Sequence, residues 1–326
     1  MSRAQDAGSA VVTAGPQGAR PWVAIMTDDP GWHGRRLRRA FDAAGYDSAF
    51  ISLRDCSFGD RPGASPLLPG REPSDLPAGV FVRGVPGGTL PQVIHRLNIL
   101  HEFAAVGVPV MNDGRSIERT VDKSMTTRLL LRAAIPTPPT WVGESEEAAS
   151  AYVREELCRG HTLVLKPVFG SQGEGLRRIV SLADLPPTAE VDGLYYLQRF
   201  IAPAGRTYAD LRVLVIAGQA VAAMRRESEH WVTNRAQGGR CIAIAIDAEL
   251  RRLAEAAVRA IGAEYAGVDI LVDTAGQHWV CEVNGVPAWY GLQRATGVDI
   301  AERLAAHLVE CMRTEGSQTT PGQWAG

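Results

Sequence analysis

Residues 266–285, AGVDILVDTAGQHWVCEVNG, constrain this chain more than any other stretch. Two largely apolar runs flank a polar turn. The spacing predicts a β-hairpin centred on Ala275-Gly276, where glycine takes the positive φ that such turns need. A two-residue turn pairs Thr274 with Gln277, and the same register sets Asp269 directly opposite Glu282. Alternation puts Asn284 on the face of Glu282 and sends Trp279, Cys281 and Val283 to the other. Two carboxylates opposed across a strand pair, among apolar neighbours, repel unless something compensates. A divalent cation with hard oxygen ligands does so, with the Asn284 amide oxygen as a neutral ligand, and Mg2+ or Mn2+ suits the set better than zinc. An arginine paired with Asp269, or a register off by one that turns it to solvent, would serve without a metal.

Upstream, strand and helix patterns alternate. WVAIM (22–26), residues 47–53, GVFVRG (79–84) and VPVMN (108–112) read as strands, with helices over 34–44 and 90–106 between them and a long Pro/Gly/Ser-rich loop over 54–78. That alternation predicts a small doubly wound parallel domain over 21–115. One helix is expected from Ser116 to Ala134, stopped by IPTPPT (135–140), and a second from Glu144 to Cys158. Strands then flank the glycine-rich loop VFGSQGEG (168–175), so that loop joins two strands and is neither a P-loop nor a Rossmann fingerprint. Further strands are expected at 195–201, 210–216 and 219–226, and helices at 248–261 and 299–312. Residues 1–20 and 314–326 read as disordered tails.

The cation inventory is lopsided. Of 34 basic residues only Lys123 and Lys166 are lysine. Arginine is a planar fork, whereas lysine is a compact point charge that enters a tight pocket. Lys166 ends a strand just before Gly170, Gly173 and Gly175, where backbone N–H groups can face a phosphate chain. Net charge −2 offers no basic excess for nucleic acid, and no apolar run reaches the roughly 20 residues of a membrane helix. Five scattered cysteines fit reduced thiols of a cytoplasmic protein, with Cys158 and Cys281 expected in the core.

The set DKSMTTRLLLRAAIPTPPT (122–140), VLKPVFGSQGEG (164–175), LQRFI (197–201), DLRVLV (210–215), AGVDIL and CEVNGVPAWYGLQRATGVDIA (281–301) resembles the ATP-grasp ligases, and within them the RimK-like α-L-glutamate ligases. The resemblance implies an α/β chain, α+β in the grasp half, with an N-terminal doubly wound pre-ATP-grasp domain (21–115), a central subdomain with the flap (116–198) and a C-terminal subdomain with the metal site (199–313). It implies joining of a small-molecule carboxylate to an amine with ATP, through an acyl-phosphate, with release of ADP and phosphate.

By motif position, Lys123, Lys166, Gly170, Ser171, Gln172 and Gly173 would meet the nucleotide phosphates, and Gln198, Arg199, Phe200 and Ile201 would form the adenine hinge. Asp269, Glu282 and Asn284 would hold magnesium or manganese, two ions in all. Arg212, Arg226 and Asn234 would serve catalysis at the γ-phosphate or the oxyanion, and Arg83 and Asn112 would face substrate. Gln198-Arg199 in the hinge, Val232, and Ala236-Gln237 depart from relatives. The phrases VRGVPGGTLPQV (82–93) and NGVPAWYGLQ (284–293) are closest in flavour to ligases of tetrahydromethanopterin-type cofactor pathways. Glutamate, or a similar amino acid, added to a small cofactor precursor is therefore expected. The alternatives are addition to a protein or peptide tail and a non-catalytic nucleotide-binding module. Relatives suggest a homo-oligomer, dimer or tetramer, with no nucleic-acid or membrane partner.

Overall fold

The computed structural model describes residues 20–60, 66–170, 174–203, 205, 207–233 and 240–316. The expected tails lie outside them, apart from Arg20, which bonds the Gly45 carbonyl and Asp42, and residues 314–316, which belong to the last helix.

The first sheet is parallel. β1 (Trp22–Met26), β2 (Asp47–Ile51), β3 (Gly79–Val82) and β4 (Val110–Met111) lie in the order β2-β1-β3-β4. Every residue of β1 and β3 is buried, as a sheet covered on both faces requires. The cover comes from α1 (Gly31–Ala43), through Leu37 and Phe41, and from α2 (Leu90–Ala105), through Leu97, Leu100 and Phe103. The order reverses between β1 and β3, which opens a crevice at their C-terminal ends. Arg83 follows β3 directly.

The single helix expected over 116–134 is two, α3 (Gly114–Val121) and α4 (Lys123–Arg132). Asp122 lies between them with ψ 99°, outside the helical region, and its carboxylate accepts the Met125 N–H at 3.0 Å. An aspartate that caps a new helix outcompetes continuation of the old one. Lys123 thereby becomes the first residue of α4, where its charge opposes the positive end of the helix dipole. A local preference broken in this way marks a position chosen for something other than helix stability.

The second sheet, β5-β8-β6-β7, is antiparallel and comprises β5 (Thr140–Gly143), β6 (Leu163–Leu165), β7 (Arg177–Ile179) and β8 (Tyr195–Arg199). β6 and β7 carry the glycine-rich loop between them, and α5 (Glu146–Cys158) packs Ala149 and Val153 onto the sheet. Gly175 in that loop has φ +71°, and a Cβ there would lie 2.8 Å from Pro167 Cγ. β5 was not expected: it is a half-buried edge strand of four residues directly after a proline run.

The third sheet, β11-β10-β9-β12-β13, positions the site. It comprises β9 (Tyr208–Ile216), β10 (Gln219–Ser228), β11 (Arg240–Ala243), β12 (Tyr265–Val272) and β13 (His278–Asn284). On one face Val213, Val215, Ala223, Val268 and Ile270 pack on α6 (Ala248–Ile261). That helix falls where expected, because Asp247 caps its start and Gly262, at φ +81°, ends it. The other face is apolar at one end, where Leu214, Met224 and Tyr265 share a core with β1, β3, α7 (Tyr290–Thr296) and α8 (Ile300–Gly316). Two residues further along each strand the same face turns to charge: Arg212, Arg226 and Gly267-x-Asp269. No helix among the described residues is long and apolar enough to cross a membrane.

Candidate active site

Asp269 pairs in register with Glu282 on one side and with Arg212 on the other. The first pairing was expected, though the hairpin reaches it differently. Its turn has three residues, Thr274–Gly276, closed by an Asp273 N–H to Gln277 carbonyl bond of 3.0 Å, with the Asp273 carboxylate accepting from the Ala275 and Gln277 N–H groups and from the Trp279 indole. A bulge at Asp269/Ile270 restores the register, since Ile270 pairs with Val280 and Cys281 is the extra residue. The bulge sends Val280 and Val283 together into the α6 core and turns Cys281 toward the cleft, not away from it. Cys158, also expected to be buried, is exposed.

Compensation for Asp269 comes from arginine. Arg212 donates from Nε and Nη2 to its two oxygens at 2.7 and 2.6 Å, and Arg226 Nη2 lies 2.9 Å from Oδ2. Arg226 in turn makes a fork to Asp210, both bonds 2.6 Å, and the Thr233 hydroxyl donates to Asp210 as well. Burial alone would raise the Asp269 pKa, but the two guanidiniums outweigh it and hold the carboxyl down at about 2. Arg226 is 3% exposed, so its expected place at a γ-phosphate needs correction. Alternation along β10 sets it beneath Asp210 and Asp269, and its forked donors are occupied there. Arg212 is the more accessible of the two.

Glu282 has no such partner. Half-buried, it makes no hydrogen bond or close ion pair among the described residues and acts on Lys123 and Lys166 through charge alone. Asn284 Oδ1 accepts the Val286 N–H at 3.0 Å and retains a second lone pair. The chain turns sharply after it: a Cβ on Gly285 would lie 2.5 Å from Thr120 Oγ1.

The lysines converge from different elements, Lys123 from the start of α4 and Lys166 from the end of β6. Lys123 Nζ lies 2.7 Å from the Gly170 carbonyl and 3.3 Å from that of Val168, which ties α4 to the glycine-rich loop. Burial and the charge of Lys166 push its pKa down, against the pull of Glu282. Lys166 Nζ donates to Gln198 Oε1 at 2.6 Å and lies 3.4 Å from Cys281 Sγ. Burial opposes its charge, yet Cys281, Tyr196 and Glu282 around it raise the pKa above the ordinary lysine value. The Gln198 amide cannot flip, because the Lys166 ammonium can only donate and Thr140 Oγ1, which gives its proton to the Pro138 carbonyl, can only accept; Nε2 donates to Thr140 Oγ1 (3.0 Å) and Tyr196 Oη (3.1 Å), and Tyr196 also bonds Thr127. A Thr127–Tyr196–Gln198 chain therefore aims Lys166. The strand pairing β5-β8-β6 and the packing of α4 bring these residues together, so their roles carry no sequence signal.

The hinge expectation changes accordingly. Gln198 is paired in register with a strand on each side and offers its side chain to Lys166. Arg199 grips the buried Glu156 through Nε (2.9 Å) and Nη2 (3.2 Å), away from the cleft. The N–H groups of Arg199 and Phe200 are taken by the Pro139 and Thr162 carbonyls. Of the four expected hinge residues, Ile201 keeps a backbone N–H outside these pairings. Ser171, Gln172, Gly173 and Asn234 lie outside the described residues.

On the substrate side, Arg83 and Asn112 part company. Arg83 is half-buried at the crevice, stacked 5.2 Å from the Trp289 ring, with one long bond (3.4 Å) to the Val286 carbonyl. Burial, then the Arg83 charge, lowers the His33 pKa to about 4, so the imidazole is neutral and its Nε2 accepts the Trp289 N–H at 3.2 Å. Asn112, by contrast, is 0% exposed and saturated: Nδ2 donates to the Tyr265 and Gly285 carbonyls, and Oδ1 accepts from the Glu264 and Tyr265 N–H groups. It clasps the first sheet to the third and has nothing left for a substrate. Asn112→Ala should lower the thermal midpoint by several degrees, at about 1–3 kcal/mol for each buried group left unpaired, while leaving substrate KM in the surviving protein unchanged. A raised KM with an unaltered midpoint would return Asn112 to the substrate pocket.

Two antiparallel sheets, one carrying the glycine-rich loop and Gln198, the other carrying the acidic hairpin whose Cys281 meets Lys166, are the arrangement of the ATP-grasp fold. Solved structures agree: the ATP-grasp ligase PsnB, determined with a minimal precursor, Mg and ADP, superposes with a TM-score of 0.68 over 89% of this chain and 98% of that one at 22% identity. The chain thus has the ATP-grasp fold. Residues 120–308 match the RimK-like ATP-grasp domain, and the chain belongs to that family. It is 35% identical over 230 residues (69% of this chain, 76% of the relative) to the tetrahydromethanopterin:alpha-L-glutamate ligase of Methanococcus maripaludis. To the enzyme of the same name from Methanosarcina acetivorans it is 30% identical over 321 residues, 87% of this chain and 97% of the relative.

Proposed function

We propose that this ligase uses ATP to activate a carboxylate on a small cofactor-type acceptor and joins it to the amine of glutamate or a similar amino acid, releasing ADP and phosphate. One observation carries the reading: two lysines and the carboxylate of Glu282, which bonds no described residue, come together beside an Asp269 already tuned to stay ionised. Similarity to two tetrahydromethanopterin:alpha-L-glutamate ligases supports the amino acid and the acceptor class.

The residues fit a hard divalent cation. Among the described residues Glu282 makes no hydrogen bond or close ion pair, Asn284 has an oxygen lone pair to spare, and Asp269 makes three of the roughly four bonds a carboxylate can accept. These three would hold magnesium, which when bound neutralises charge on the transferring phosphoryl group. The chain's own groups do the rest. Lys166, aimed by Gln198, and Lys123, tied to the flap, place positive charge along the phosphates. Arg212 presents its remaining Nη1 to the developing charge at the reacting carboxyl. Arg83, which makes one long hydrogen bond among the described residues, receives a carboxylate of the acceptor in the crevice beside neutral His33.

ADP and phosphate should form only when carboxylate and amine are both present, and hydroxylamine in place of the amine should yield a hydroxamate. AMP and pyrophosphate would exclude an acyl-phosphate. Glu282→Gln should raise the magnesium concentration for half-maximal activity at least tenfold. It should leave the metal-free thermal midpoint almost untouched, because Glu282 bonds no described residue. A large fall in that midpoint would assign Glu282 a structural role instead.

A further inference from the structure

Away from the cleft, three side chains of different ligand chemistry meet at one point. His307 and Cys311 stand one turn apart on α8, with Nε2 and Sγ 4.0 Å apart, and Glu264, the residue before β12, places Oε2 2.7 Å from the same Nε2. All three ligand atoms lie within 4.8 Å of one another. We propose that Glu264, His307 and Cys311 form a binding site for a zinc-class divalent cation, distinct from the hard-oxygen site of the cleft, with its fourth position open to water.

Tetrahedral zinc with ordinary bond lengths sets neighbouring N, O and S ligand atoms about 3.4–3.6 Å apart. The His307–Cys311 gap must close by about 0.4 Å and the His307–Glu264 contact open by about 0.7 Å to reach this, which are side-chain adjustments. Glu264 has room to move, its side chain being 50% exposed. The donor set decides the metal: imidazole and thiolate favour zinc, whereas magnesium demands oxygen. Among the described residues no partner meets His307 Nδ1, which is buried. Without an acceptor for that nitrogen the site binds some 10–100-fold more weakly than zinc sites with a full supporting shell.

The ion would act as a staple. The Glu264 N–H is already held by Asn112, and its carbonyl accepts from Ala217, so Glu264 is fixed at the root of the strand that carries Asp269. Five residues past His307, α8 continues to Met312, whose Sδ packs so closely on β3 that a Cβ on Gly79 would lie 2.6 Å from it. A cation bridging Glu264 to α8 therefore locks the third sheet to the first, outside the catalytic cleft.

The test uses the full chain, stripped with EDTA and titrated with Co2+ in excess Mg2+, which occupies the hard-oxygen ligands. One equivalent should produce a thiolate-to-cobalt charge-transfer band in the near ultraviolet, with the visible bands of a tetrahedral ion, and Zn2+ should displace both. Cys311→Ser should lose the charge-transfer band and bind at least tenfold more weakly, His307→Ala likewise, whereas Cys158→Ser and Cys281→Ser should keep the band and the cobalt affinity of wild type. Zinc should raise the thermal midpoint of wild type and not of Cys311→Ser. A missing band, or one that persists in Cys311→Ser and vanishes with Cys158 or Cys281, would overturn the site.

Discussion

Asp269→Asn is expected to abolish ligation and to unfold the protein at a markedly lower temperature. The amide keeps the volume and loses the charge that two guanidiniums share, and it points N–H donors at other donors. Removing one partner of a buried ion pair costs about 3–5 kcal/mol, because the remaining charge stays buried. Arg226 still has Asp210, so the lower end of that range applies, and for a chain of this size it corresponds to a thermal shift of roughly 5–10 °C. A midpoint equal to wild type would show that the arginine network contributes nothing to the fold. Wild-type activity would remove Asp269 from the metal-holding set.

The same carboxylate predicts an acid limb. Its folded pKa, near 2, lies below the ordinary 3.8. A depressed pKa means that the stabilisation is complete above about pH 4 and is lost as pH falls from 4 toward 2. It amounts to about 2 kcal/mol, so in EDTA the wild type should lose stability across that window more steeply than the Asn variant. Parallel acid limbs would mean that Asp269 is not the group that titrates.

Lys166→Arg should reduce kcat/KM by at least a hundredfold although it conserves charge. The ammonium lies in a narrow space between Gln198 Oε1, Cys281 Sγ and the Tyr196 ring. A guanidinium is wider, places its charge further out and requires several acceptors, while Gln198 offers one. Loss of one transition-state donor typically costs about 3–4 kcal/mol. Gln198→Leu is the companion variant: it should raise KM for ATP and leave the fold intact, because it releases the lysine without removing it. Near-normal turnover in Lys166→Arg would show that a point charge is not required there.

Legibility followed the range of the forces involved. Strands β1 and β3 and helix α6 were readable because burial periodicity and caps act within a few residues, as with Asp247 and Gly262. Short elements escaped. β5 and β11 have four residues each and α7 seven, too few for a period to register, and packing rather than propensity holds them. The break at Asp122 was misread because a capping aspartate and a mid-helix aspartate look alike until the backbone departs. In the hairpin two misreadings cancelled: a turn one residue longer than expected and a bulge of one residue left Asp269 opposite Glu282 all the same, while Cys281 changed faces.

The sequence by itself determined the family, the order of its strands and flap, and the residue types at the cleft: two lysines among many arginines and a hairpin with opposed carboxylates. These are local statements about composition and spacing. Tertiary structure decided what each charge is doing. Arg212 and Arg226 meet an aspartate 57 and 43 positions away, Gln198 turns from hinge to lysine holder, and Asn112 turns from substrate ligand to clasp. An unsatisfied donor and a satisfied one have the same letter in a sequence, and only three-dimensional packing reveals which has found its partner.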